Sequence, residues 1–133
     1  MCWTDDIKRL FERMAARTGT TTTAAARKKP VREISPQEFM ISRRNGQPFL
    51  LLDCREPSEW RHARIPGAVH IPMNQIPKRL GELDPERPVI VYCAHGRRSY
   101  AVASFLADRG YDVASLKGGI TRWRAEGGEV EVD

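Results

Sequence analysis

Long apolar runs are missing from this sequence, and none approaches the ~20 residues that a bilayer-spanning helix needs. No apolar segment follows the first residues, so a secretory leader is not expected. Cysteine is scarce: Cys2, Cys54 and Cys93 are the only three in 133 residues, and no two form a C-x-x-C pair. An odd, widely spaced set argues against a disulfide scaffold and against a zinc ribbon. A reducing cytosol is therefore the expected compartment, with no transmembrane segment. Disorder of the whole is excluded as well, because 41% of the residues are hydrophobic and 29% charged. The length suits one domain of common size, with residues to spare.

Excess positive charge on residues 31–133 is also slight. The net charge is +5, but residues 1–30 hold seven Lys/Arg against three Asp/Glu, and residues 31–133 hold fifteen against fourteen. The excess belongs to an N-terminal extension, so nucleic acid is not an expected partner.

Residues 5–17 read as an amphipathic helix, with Ile7, Leu10, Phe11 and Met14 on one face. A Thr/Ala-rich stretch to Pro30 reads as a linker. Its apolar stripe needs a partner, and three fit: the domain itself, a second chain in self-association, or a membrane surface. From residue 31 a compact domain is expected. Ser35-Pro36-Gln37-Glu38 offers an N-cap, a first-turn proline and a reciprocal glutamate, for a helix to about Arg44. Phe49–Asp53 and Val89–Tyr92 read as strands buried on both faces. Shorter elements follow the same logic: a helix through Glu59-Trp60, a turn at Ile65-Pro66-Gly67, and a strand over Val69–Ile71. A helix carries Ile76, Leu80 and Leu83. Another, with Ala101, Phe105 and Leu106 inward, runs to Gly110, then a strand over Val113–Leu116. Gly118-Gly119 opens a last helix with Ile120 and Trp123. Alternating strands and helices predict an α/β fold with a central parallel sheet covered on both faces.

Cys93 carries the chemistry. It ends a buried strand, and a glycine-bearing loop leads from it into a helix. Ligands of open α/β sheets bind beyond the carboxyl ends of the strands. Such a loop points backbone N–H groups inward, and the helix start adds a positive end. Arg97 and Arg98 add two charges. A thiol in this setting is expected to ionise more readily than a free one and to act as a nucleophile. Cys54, inside an apolar run, reads as packing. His95 is either a substrate-side group or a solvent-facing loop residue. Asp53, Arg55 and Glu56 read as a structural ion-pair cluster rather than a relay. Trp60 and Trp123 read as core or interface aromatics.

Four separated motifs bear a resemblance. Leu51-Leu52-Asp53-Cys54-Arg55-Glu56 resembles a strand ending in Asp-x-Arg. Ile65-Pro66-Gly67-Ala68 with Ile71-Pro72, the loop Cys93–Arg98, and Leu116-Lys117-Gly118-Gly119 with Trp123 follow in order. Together they make residues 31–133 similar to a single rhodanese domain, the sulfurtransferase homology domain. One departure is Ala63-Arg64, where many members have Gly-His. The resemblance implies that Cys93 takes sulfane sulfur from a small anionic donor such as thiosulfate and becomes a persulfide. Cyanide, a thiol or a protein acceptor then removes it. It implies that the loop amides Ala94, His95, Gly96, Arg97, Arg98 and Ser99 hold the persulfide, with no cofactor and no metal.

Two rivals remain. A phosphatase or arsenate reductase also uses a cysteine in an anion loop, but the tyrosine-phosphatase spacing puts arginine six residues after cysteine. Here Ser99 stands there, and Arg98 comes one place early. A non-catalytic rhodanese-like binding module is disfavoured by the presence of Cys93.

Overall fold

The computed structural model describes residues 31–46 and 48–133. The helix expected over 5–17 and the linker after it lie outside these residues. The chain runs through β1 (Arg32–Ile34), α1 (Pro36–Arg44), β2 (Leu50–Asp53), α2 (Pro57–His62), β3 (Ala63–Arg64) and β4 (Val69–His70). Two 3-10 segments, Met73–Gln75 and Pro77–Glu82, lead to β5 (Val89–Tyr92). Then come α3 (Arg97–Asp108), β6 (Val113–Leu116), α4 (Gly119–Ala125) and β7 (Glu131–Val132).

Five strands form one parallel sheet in the order β1-β6-β5-β2-β4. Side chains of a strand alternate between faces, and the two faces hold two cores. Val89, Val91 and Cys93 point with Leu52 and Cys54 toward Val102 and Leu106 of α3. Ile90 and Tyr92 point with Leu51 toward Phe39 of α1 and Trp123 of α4. All four residues of β5 are buried, as the unbroken Val-Ile-Val-Tyr run predicts for a central strand.

Local sequence explains the helix starts. The Ser35 hydroxyl accepts from the Glu38 N–H at 3.1 Å, and the Glu38 carboxylate accepts from the Ser35 N–H at 2.9 Å. That reciprocal box, with Pro36 in the first turn, fixes α1. Its Phe39 then meets Trp123 with ring centroids 4.9 Å apart.

Strand order places the site. The chain leaves β2 toward β4 on one side and leaves β5 toward β6 on the other. The connections therefore part between the carboxyl ends of β2 and β5, the place where open sheets hold ligands. Asp53 ends β2, and Cys93 follows β5.

Three expectations need correction. Ile76, Leu80 and Leu83 do not share one helix. Pro77 has no N–H to give, and Arg79 leaves helical geometry (φ −113°, ψ 20°), so the segment stays in 3-10 turns. In α3 the inward residues are Ser99, Val102, Ala103, Leu106 and Ala107, whereas Ala101 is exposed. This is the i, i+3, i+4, i+7, i+8 stripe that follows from a helix start at Arg97. The two-residue strands β3 and β7, which pair antiparallel, and the short edge strand β1 were not expected. No helix among the described residues is long and apolar enough to cross a membrane.

Candidate active site

After β5 the chain turns back on itself around the Cys93 sulfur. The turn depends on Gly96, whose φ of +101° lies in the left-handed region. A side chain there would be strained, and its Cβ would stand 3.2 Å from the Gly118 nitrogen. In this conformation the Gly96 N–H donates to Cys93 Sγ at 3.1 Å and the Ser99 N–H at 3.2 Å. The Ser99 hydroxyl stands 3.5 Å from the same sulfur and 2.7 Å from the Ser115 hydroxyl on β6. A sulfur anion is an acceptor without protons of its own, and here it meets donors from successive turns of a loop and a helix start.

A second glycine holds the loop from behind. The Ile120 N–H donates to the Cys93 carbonyl at 2.9 Å, and the Thr121 N–H to the Ala94 carbonyl at 3.1 Å. The first amides of α4 thus take the outward-facing carbonyls of the loop, which leaves its N–H groups for the sulfur. This approach is possible only at Gly119, with φ of +63°. A Cβ there would overlap the carbonyl oxygens of Cys93 and Ala94. Gly119 is therefore a packing requirement of the cysteine loop as well as part of a helix start.

Electrostatics differ between the two buried thiols. Burial pushes the Cys93 thiol up, but hydrogen bonds from the Ser99 hydroxyl and the Ser99, Gly96 and His95 amides outweigh it, so its pKa is lowered. Burial pushes the Cys54 thiol far up, with Cys93 and Asp53 adding to the effect. Its Sγ lies 3.5 Å from the Tyr92 carbonyl and takes part in packing, as expected. Cys93 is 1% exposed, so its sulfur lies at the floor of the loop.

The arginines are arranged otherwise than the sequence suggests. Arg98 does not cap the sulfur. Its guanidinium forms a two-bond fork with Glu59 of α2, at 2.8 and 2.9 Å. This pairing raises the Arg98 pKa and lowers that of Glu59 to about 2. Arg97 and His95 are exposed. The loop's anion donors are therefore backbone amides and one hydroxyl rather than guanidinium groups. Among the loop residues, the structure brings Gly96 and Ser99 onto the sulfur by direct bonds, and turns the Ala94 carbonyl toward α4.

Asp53 and Arg55 form the structural pair expected of them. Asp53 is wholly buried, and the Arg55 side chain grips it by three bonds of 2.7 to 3.1 Å. Arg55 Nη2 also donates to the Ala63 carbonyl at 2.5 Å, and its Cζ lies 5.5 Å from the Tyr92 ring centroid. Glu56 stands apart as the N-cap of α2, where its backbone N–H donates to Glu59 at 2.9 Å. Trp123 is core, and Trp60 stacks on His70 at 4.8 Å. A cleft of about 360 Å³ runs beside the loop, past Ala94, Glu59, His62, Thr121 and Arg124.

Sequence reasoning missed Glu59 and Ser115. Glu59 had a local signal, since it stands three residues after Glu56 just ahead of Trp60, the spacing of a capping box. Ser115 had a weaker one: it is a polar residue inside Val113-Ala114-Ser115-Leu116, where burial requires a partner.

The chain matches the family model described as "Rhodanese-like domain" over residues 35–126. A protein named sulfurtransferase from Allochromatium vinosum is 37% identical over 98 residues, covering 73% of this chain and 92% of that one. The thiosulfate sulfurtransferase GlpE of Pseudomonas syringae is 33% identical, covering 70% and 87%. Among solved structures, a rhodanese-related protein from Thermoplasma volcanium superposes with a TM-score of 0.71 at 29% identity, over 77% of this chain and 99% of that one. A rhodanese-like domain protein from Staphylococcus aureus gives 0.70 at 29%, over 77% and 98%.

Proposed function

Because the chain belongs to the rhodanese-like domain family, we propose that it is a sulfurtransferase that works through a persulfide on Cys93. The observation that carries this reading is the convergence of the Gly96 N–H, the Ser99 N–H and the Ser99 hydroxyl on one sulfur, at 3.1, 3.2 and 3.5 Å. Relatives named sulfurtransferase and thiosulfate sulfurtransferase support the class of reaction.

The chemistry needs no net proton transfer. The Cys93 thiolate attacks the outer sulfur of thiosulfate, an S–S bond forms to Cys93, and the thiosulfate S–S bond breaks. Sulfite leaves with the electron pair. The carbon of cyanide, or the sulfur of a thiolate, then attacks the terminal sulfur. The Cys93 S–S bond breaks and the thiolate returns. Each intermediate keeps one negative charge on sulfur, which a ring of fixed N–H donors stabilises in place without reorganisation. With Cys93 only 1% exposed, the donor must present a slim terminal sulfur. Arg97, exposed in the loop, adds positive charge that draws in the anionic donor. A reducing compartment keeps the thiol free to turn over.

Phosphate chemistry is the reading to set beside it. In that chemistry an arginine clamps the transferring group, whereas Arg98 is committed to Glu59. The test compares thiocyanate formation from thiosulfate and cyanide with hydrolysis of an aryl phosphate, in the wild type and in Cys93→Ser. Sulfurtransfer that dominates and disappears in Cys93→Ser is expected. Dominant phosphatase turnover would overturn the proposal.

A further inference from the structure

Behind the cysteine loop lies a pair of hydroxyls that the reaction above uses only in part. Ser99 and Ser115 are both wholly buried, and their oxygens are 2.7 Å apart. Ser99 belongs to the first turn of α3, and Ser115 to β6, the strand next to β5. The chain of contacts continues from Ser99 Oγ to Cys93 Sγ at 3.5 Å.

We propose that Ser115 is a positioning residue: its hydroxyl donates to Ser99 Oγ and keeps the single Ser99 proton directed at the Cys93 sulfur. Proton count fixes the direction of these bonds. A hydroxyl has one proton and two lone pairs. When Cys93 is a thiolate it can only accept, so the Ser99 proton must point at sulfur. Ser99 Oγ can then meet Ser115 only as acceptor, and the Ser115 proton points at Ser99. The reverse order would send the Ser99 proton to a neutral oxygen and strip a donor from a charged sulfur, which a charge-assisted bond opposes. The short bond from Ser115 fixes the Ser99 rotamer. Donation from Ser115 also polarises the Ser99 O–H and strengthens its bond to sulfur.

This inference rests on the thiolate reading of Cys93, so the experiment reads the thiol directly and needs no sulfur donor. The pH dependence of iodoacetamide labelling at Cys93 is followed by peptide mass, which separates it from Cys2 and Cys54. The charged and titratable groups that face Cys93 among the described residues are Arg98 on α3 and Cys54 after β2. Ser115→Ala leaves both in place. It is expected to weaken the acidity of Cys93 about three- to tenfold, the effect of one hydrogen bond, seen as an upward move of the labelling midpoint. Ser115→Cys, which fills similar space with a weaker donor, is expected to move it the same way by less. In a Ser99→Ala background, Ser115→Ala is expected to add nothing, because the link between the two is gone.

A depressed wild-type midpoint that Ser115→Ala and Ser115→Cys leave unchanged would overturn the role of Ser115 and leave the sulfurtransferase reading intact. So would a Ser115→Ala shift that persists in full without the Ser99 hydroxyl. A wild-type midpoint at the ordinary thiol value would overturn both.

Discussion

Arg98 lays its guanidinium against Glu59 in a two-bond fork, Nη1 to Oε1 at 2.8 Å and Nη2 to Oε2 at 2.9 Å. The contact joins the start of α3 to α2, and so joins the cysteine loop to the segment that follows β2. A bidentate fork fixes direction as well as distance. Arg98 thereby anchors the loop from the side while the backbone holds the sulfur.

Glu59→Gln should loosen that anchor. The Glu59 side chain is 31% exposed, so the pair is worth about 1 kcal/mol rather than the value of a buried one. The folded carboxyl titrates near 2, below its usual 4.5. Its contribution is complete above about pH 4.5 and is lost as the pH falls toward 2. Denaturant unfolding at pH 7 and at pH 3 checks this: the gap between wild type and Glu59→Gln should narrow in acid.

Gly119→Ala should damage the loop without touching the sulfur. The substitution places a Cβ against the Cys93 and Ala94 carbonyls at a positive φ. The cost should exceed about 1 kcal/mol. Thermal unfolding and sulfurtransfer assays should fall together, and retention of both would show that the glycine is dispensable.

Arg55→Met should be among the most destabilising single changes in the domain. It leaves the Asp53 carboxylate, wholly buried, without its cation. Breaking one side of a buried pair costs about 3–5 kcal/mol. Replacing both partners with apolar residues of similar volume should recover much of the loss, which a double-mutant cycle of unfolding free energies measures.

The two described cysteines should differ in labelling. Cys93 should react with a midpoint below that of an ordinary thiol, its rate rising with pH as the thiolate forms. Cys54, with its pKa raised by burial, should stay unlabelled until the protein unfolds. Peptide mass after brief iodoacetamide exposure across pH distinguishes them.

Much of this architecture is legible in the residues. Unbroken apolar runs at β2 and β5 announce a sheet buried on both faces, and Ser35-Pro36-Gln37-Glu38 announces α1 to its cap. Periodicity is weaker evidence at Ile76, Leu80 and Leu83, because a proline and a backbone break convert the same spacing into 3-10 turns. β3 and β7 are two residues long and pair across 67 or more positions, too short for any alternation to show. At the site, Cys93 and the glycine of its loop could be read from their place after a buried strand, whereas Gly118-Gly119 reads only as a helix start until the fold sets it against that loop. The partner of Arg98 could not, since Glu59 lies 39 residues away and only the fold brings the two together. Ser115, polar within an apolar strand, signals that it needs a partner, but only the fold identifies that partner as Ser99.

The central claim is that Cys93 accepts a sulfur atom and gives it up. Intact-mass analysis after treatment with thiosulfate tests it most directly. A gain of one sulfur, about 32 Da, that disappears on adding cyanide and is absent in Cys93→Ser is predicted for covalent relay through this nucleophile. An unchanged mass in the folded wild-type protein, or the same gain in Cys93→Ser, would contradict it.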